Sequence, residues 1–154
     1  MGGRAKAALK LILPIAMAAE GLRQTAYYDP PGILSTCFGS TQNVEIGRVY
    51  TLGECLARLD ADMTAAIATV ERCVPGLPVR PLAAFGDAVY NLGGTIVCDT
   101  EKSTAARYLK AGRIEDACRE LPKWSKAKIL GQYVTLPGLA KRRRAEMSLC
   151  LGYV

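Results

Sequence analysis

EGLRQTAYYDPPGILSTCFGST, residues 20–41, is the stretch on which both fold and chemistry turn. It carries a carboxylate at Glu20, a second at Asp29, and adjacent hydroxyls at Ser35 and Thr36. A run from Ala7 to Ala19, apolar except for Lys10, ends just before Glu20, and Gly21 is a helix stop signal. Beyond Gly21 the pattern changes. Tyr27, Tyr28, Ile33, Phe38, Val44, Ile46, Val49 and Tyr50 are interleaved with turn residues. This predicts short antiparallel strands with tight turns at Pro30-Pro31-Gly32 and near Gln42-Asn43. A helix over 7–20 therefore feeds a β lobe over 21–50.

Thr51-Leu52-Gly53-Glu54 has the spacing of a capping box. Apolar residues then recur at 56, 59, 63, 67, 70 and 74, close to a 3.6-residue period, until Pro75-Gly76. This predicts a helix over 51–74, long enough to join two lobes. From Pro81 onward only helices are expected. Pro81 suits a first helical position, and Leu82, Phe85, Val89 and Leu92 share a face that Gly93 closes. Ser103 caps a short helix ending at Gly112, another covers 114–121, and Pro137 opens a last one through Cys150. The predicted class is α+β: a mainly helical single domain, 1–154, with a small antiparallel sheet.

The chain has 154 residues and a formal charge of +6, which suits an acidic or anionic partner. Nucleic acid is not expected, because no basic tail or nucleic-acid motif is present. The absence of histidine removes Ser-His-Asp and Cys-His catalysis and the HExxH zinc site. Acid–base work then falls to carboxylates, lysine or tyrosine. No metal site or cofactor is called for. Cysteines at 37, 55, 73, 98, 118 and 150 lack zinc-type spacing and fit up to three disulfides in an oxidising compartment. Six cysteines allow about 15 pairings. Cys55 with Cys73 is disfavoured, because one helix would hold them about 27 Å apart. The N-terminal apolar run is too short to span a bilayer. A buried helix is expected there, and a membrane-associating export segment is the alternative.

Two carboxyl groups in unlike surroundings are the minimal equipment for cleaving a glycosidic bond. Glu20 ends an apolar helix, whereas Asp29 sits beside exposed turn residues in a tyrosine-rich strand. Taken alone, Glu20 reads as a helix-end charge and Asp29 as a turn aspartate. The ordered set is more specific: Glu20-Gly21, Arg23, Tyr27, Asp29, Gly32, Cys37, Gly39 and Thr41, then Phe85, Tyr90-Asn91-Leu92-Gly93, Trp124, Gly138-Leu139, Arg142-Arg143, Glu146 and Cys150. This set resembles the phage-type lysozymes, the muramidase endolysins of glycoside hydrolase family 24, over nearly the whole chain. The cysteine content is similar to that of their secreted or signal-anchored members.

The resemblance implies a lysozyme-like fold with a long connecting helix. It also implies hydrolysis, with inversion, of the β-1,4 bond between N-acetylmuramic acid and N-acetylglucosamine in peptidoglycan. Glu20 would protonate the leaving oxygen, and Asp29 with a hydroxyl would hold the attacking water. The family threonine falls on Ser35, with Thr36 next to it, and the histidine often found after the glycine is Ser40. Arg142 or Arg143 would form a buried ion pair, with Glu20 the candidate partner; the plainer reading is a solvated face with intrahelical pairs. Asn91 reads either as a helix cap or as a support to the cleft, and Trp124 as core or as a sugar platform. A monomer working on glycan strands in the periplasm or cell wall, tethered to the membrane before release, is the implied setting. Two alternatives are a lytic transglycosylase and a non-catalytic cationic wall- or membrane-binding protein.

Overall fold

The computed structural model describes residues 1–153. Helix α1 (Gly3–Glu20) leads into strands β1 (Arg23–Tyr28) and β2 (Leu34–Cys37), then the long helix α2 (Leu52–Cys73). Helices α3 (Val79–Leu92), α4 (Thr95–Cys98), α5 (Thr104–Lys110) and α6 (Ile114–Glu120) follow. A 3-10 turn, a hairpin of β3 (Lys126–Ile129) and β4 (Gln132–Thr135), and α7 (Pro137–Leu151) complete the chain.

Helix α1 starts at Gly3, four residues before the expected start at residue 7. Arg4 anchors it, donating to the Glu71 carboxylate at 2.9 Å through Nη2 and to the Leu77 carbonyl at 2.5 Å. The helix runs through Pro14 without ending. Ala8, Ile12 and Ala16 lie at four-residue intervals on one face and are fully buried. That face packs on α2 and α3. No helix among the described residues is long and apolar enough to cross a membrane.

β1 and β2 pair antiparallel with Tyr27 opposite Ser35, around a Pro30-Pro31-Gly32 turn. Residues 44–50 form no strand; Val49 contributes a single bridge to Thr25. The expected extra strand fails because Arg48 and Glu45 turn the chain back, and Ile46 and Val49 remain exposed. At the start of α2 the Thr51 hydroxyl accepts from Glu54 N at 3.1 Å, and the Glu54 carboxylate accepts from Thr51 N. Leu59, Met63, Ile67 and Val70 then form its buried stripe. Burying each such side chain is worth about 1.5–3 kcal/mol.

Helix α3 begins at Val79, two residues before Pro81, and is buried continuously from Pro81 to Val89. Gly86 lets it lie against α2: a Cβ there would come within 2.9 Å of the Ile67 side chain. Ser103 caps α5, its hydroxyl accepting from Ala106 N. The expectation of helices alone after Pro81 is corrected by the β3–β4 hairpin. Its residues are almost all exposed, so they carry no buried-face alternation, and its turn is made by Leu130-Gly131 rather than a typical turn pair.

All six cysteines pair, as Cys37–Cys55, Cys73–Cys98 and Cys118–Cys150. They tie β2 to the first turn of α2, the end of α2 to α4, and α6 to α7.

Candidate active site

Glu20 is the last residue of α1, and its side chain is 21% exposed. Its Oε1 accepts from Arg142 Nη1 at 2.5 Å. Its Oε2 lies over Gly39, so close that a Cβ there would stand 2.9 Å away. Gly39 has φ +82°, a conformation that glycine adopts without steric cost. The β lobe thus presses its backbone against one carboxyl oxygen while α7 holds the other.

Arg142 is the hub. Its Nε and Nη2 donate to the two oxygens of Asp87 at 2.8 and 2.7 Å, which leaves Nη1 for Glu20. Asp87 is completely buried on α3. Burial alone would raise its pKa, but hydrogen bonds from Arg142 and Glu146 and the charges of both arginines carry it below the usual value. Burial likewise pulls Arg142 down, and Asp87 with Glu20 more than reverses that. The guanidinium is therefore a fixed cation.

Arg143, fully buried, donates to Glu146 at 2.7 Å and to Asn91 Oδ1 at 2.9 Å. Burial, then the hydrogen bond and charge of Asp87, push Glu146 well up, against the pull of both arginines. The solvated-face reading of the Lys141–Arg144 run therefore fails for its two central members, because α7 packs that side on α3; Lys141 and Arg144 alone are exposed. Asn91 lies within α3 and accepts from Arg143, and Gly93 takes the cap position instead.

Asp29 closes the turn that follows it. Its Oδ1 accepts from Ile33 N at 2.8 Å, and its backbone exchanges bonds with Gly32 and Ile33. Oδ2 is left toward Ser35, whose hydroxyl lies 3.4 Å away and also 3.2 Å from the Ile33 carbonyl. Strand alternation sends Thr36 to the opposite side. It is fully buried and its hydroxyl is 3.4 Å from the carbonyls of Arg23 and Gln24. The structure thus brings Ser35, not Thr36, to Asp29. Ser40 accepts from Arg58, which also holds the Gln42 and Asn43 carbonyls.

A groove of about 380 Å³ opens beside Gly39, lined by Thr41, Gln42, Asp62, Thr69 and Tyr90 among others. Tyr90 reaches across it to donate to the Phe38 carbonyl at 2.5 Å, which joins α3 to the β lobe. Burial and the neighbouring Glu20 charge raise its pKa, so it remains a donor. Trp124 is half-buried against the core. Among the described residues no group of three His, Cys, Asp or Glu is disposed to hold a metal. Sequence reasoning missed Asp87 and Arg58. An acid inside an otherwise apolar LAAFGDAV run was the available signal for Asp87.

The family model described as Phage lysozyme matches residues 17–146. A SAR-endolysin of Pseudomonas phage phiKMV is 35% identical over 146 residues, covering 94% of this chain and 89% of that protein. The muramidase domain of SpmX from Asticaccaulis excentricus superposes with a TM-score of 0.80 at 26% identity, covering 95% of both chains. The active form of the P1 phage endolysin Lyz gives a TM-score of 0.78 at 25% identity, covering 97% of this chain and 85% of that one.

Proposed function

The chain belongs to the phage lysozyme family and is an endolysin, a glycosidase that lyses peptidoglycan; from that premise we propose that Glu20, Asp29 and Ser35 carry its chemistry. The bond cut is the β-1,4 link between N-acetylmuramic acid and N-acetylglucosamine. Glu20 Oε2 delivers the proton to the leaving oxygen while Arg142 fixes Oε1. Asp29 Oδ2 accepts one hydrogen of the attacking water. Ser35 has a single proton, and giving it to the Ile33 carbonyl leaves its lone pairs for the water's other hydrogen. Glu20 and the Asp29–Ser35 pair then act on opposite faces of the sugar, which inverts the anomeric centre. Arg142, Asn91 and Arg143 support the acid from behind. The glycan strand lies along the groove beside Gly39.

The observation that carries this reading is the division of Glu20's two oxygens: one is locked by a buried arginine that a second carboxylate orients, and the other lies over Gly39, which lines the groove. Such positioning is characteristic of groups that must meet a reacting atom within a fraction of an ångström. The work is done as a monomer outside the host cytoplasm, where three disulfides persist. A membrane-tethered state before release would require α1 to leave the core, because Ala8, Ile12 and Ala16 are buried there.

The test uses purified cell walls. Glu20→Gln and Asp29→Asn should each lower the clearing rate by roughly 10²–10⁴-fold, the range for a positioned acid or base. The released muramic acid should carry a reducing end in the inverted configuration. A 1,6-anhydro end, with Asp29→Asn still active, would make the protein a transglycosylase. Clearing by Glu20→Gln at the wild-type rate would end the catalytic reading altogether.

A further inference from the structure

The β3–β4 hairpin does nothing for the site described above, and its tip is at odds with its own backbone. Ile129 pairs with Gln132, so Leu130 and Gly131 form a two-residue turn. Both have positive φ, 49° and 83°. Asn-Gly or Asp-Gly serves such a turn at low cost, whereas leucine is strained there. Leu130 is also 99% exposed, so no contact within the fold offsets the strain. Ile129, Val134 and Tyr133 beside it are 45%, 43% and 73% exposed.

The hairpin is two-sided. Strand pairing puts Ala127, Ile129 and Val134 on one face, and Lys126, Lys128 and Tyr133 on the other. Lys128 lies over the Tyr133 ring at 6.0 Å. Neither Lys126 nor Lys128 has an ion pair among the described residues. From Leu121 to Ala145 the chain has no Asp or Glu, and Lys126, Lys128, Lys141 and Arg144 add exposed positive charge, while Lys123 is paired with Glu120. The base is firm: Leu136 N donates to the Ser125 carbonyl at 3.0 Å, and Trp124 packs on the core.

We propose that this hairpin docks the protein on an anionic lipid surface, with Leu130 and Ile129 entering the acyl boundary and Lys126 and Lys128 taking the headgroups. An apolar tip with lysines behind it matches the layering of a membrane interface, where apolar groups sink about 5–10 Å. Four residues per strand give the tip a reach of about 13 Å. A glycan strand offers no apolar volume in which to bury Leu130. A second copy pairing along the open strand edge is opposed by the lysines, which repel their own kind. The docking goes beyond glycan cleavage and does not depend on it.

The test is co-sedimentation of the full chain with vesicles of phosphatidylglycerol and phosphatidylethanolamine, against vesicles of phosphatidylcholine. Wild type should bind the anionic vesicles at least tenfold more tightly, and binding should fall with salt. Leu130→Asn suits the turn better, so its Tm should hold or rise while vesicle affinity drops about tenfold or more. Lys126→Gln with Lys128→Gln should lose a similar factor and most of the salt dependence. Both variants should clear lipid-free walls at the wild-type rate, and Glu20→Gln should bind vesicles as wild type does. The proposal is overturned if wild type shows no preference for anionic vesicles, or if Leu130→Asn binds them undiminished. It is equally overturned if the hairpin variants slow the clearing of lipid-free walls with vesicle binding intact, which would assign the hairpin to the glycan. A wild-type dimer that Leu130→Asn dissociates would assign it to a second copy.

Discussion

The Glu20 carboxyl is held from two sides, and neither yields. Arg142 is bonded to both oxygens of Asp87, and the Gly39 backbone lies against Oε2. Gly39→Ala is therefore expected to act on rate more than on stability. A methyl group there meets Oε2 at 2.9 Å and must sit at φ +82°. The conformation costs about 1–2 kcal/mol. Displacing the acid by even an ångström costs on the order of 10²-fold in turnover. Wall clearing should fall by about that factor with a small change in Tm; an equally active Gly39→Ala would mean that Glu20 does not work from this position. At this scale the motif made the carboxylates legible, because their spacing is a property of the chain. It left Ser35 and Thr36 undivided. Choosing between them needs the strand register, which puts one hydroxyl on Asp29 and turns the other toward the Arg23 and Gln24 carbonyls.

Three helices meet at one guanidinium: α1 through Glu20, α3 through Asp87 and α7 through Arg142. The two carboxylates behind it are shifted in opposite directions, and that distinguishes them experimentally. Asp87 is depressed, so its contribution is present above its unfolded pKa of about 3.9 and is lost as pH falls through the lower folded value. Glu146 is raised, so its contribution is present below about pH 4.3 and is lost as pH rises through the higher folded value. At pH 7 the folded site favours an ionised Asp87 and disfavours an ionised Glu146. Asp87→Asn should then cost about 3–5 kcal/mol, the range for removing one partner of a buried ion pair. Glu146→Gln should be nearly neutral, its amide oxygen still accepting from Arg143. Denaturant melts of both variants at pH 7 check this, and equal losses would refute the opposed shifts. The resemblance anticipated Arg142 or Arg143 on Glu20, but neither Asp87 nor the opposed shifts were legible beforehand. Asp87 lies 55 residues from Arg142, and only packing α3 against α7 makes the two neighbours. The capping box of α2 was legible because both partners lie within one turn. The β3–β4 hairpin was not, since an exposed hairpin has no core to imprint a pattern.

Across the whole molecule the disulfides divide the labour that the elements share. Cys37–Cys55 ties the β lobe, with Ser35 and Gly39 close by in the chain, to the head of α2. Cys118–Cys150 joins α6 to the end of α7, about two turns beyond Arg142. The sequence indicated an even set of cysteines and ruled against one pair. The actual partners depended on where α4 and α6 come to rest, which no local pattern encodes. Removing either bridge releases a loop of 18 or 32 residues. Chain entropy alone would assign each a loss of about 3–4 kcal/mol. In a chain of this size that is a Tm drop of roughly 6–16 °C, and the two losses should be similar. Their effects on turnover should not be. Cys118→Ser with Cys150→Ser should leave wall clearing near the wild-type rate at temperatures well below its Tm. Cys37→Ser with Cys55→Ser should slow clearing several-fold under the same conditions. The β lobe would then be held to the helices mainly by the Arg58 fork and the Tyr90 hydrogen bond to Phe38, and the Asp29–Ser35 pair would sample positions away from Glu20. Clearing rates measured about 20 °C below each variant's own Tm separate the two effects. If both variants slow equally there, lobe placement does not depend on the Cys37–Cys55 link, and the β lobe is positioned by its noncovalent contacts alone.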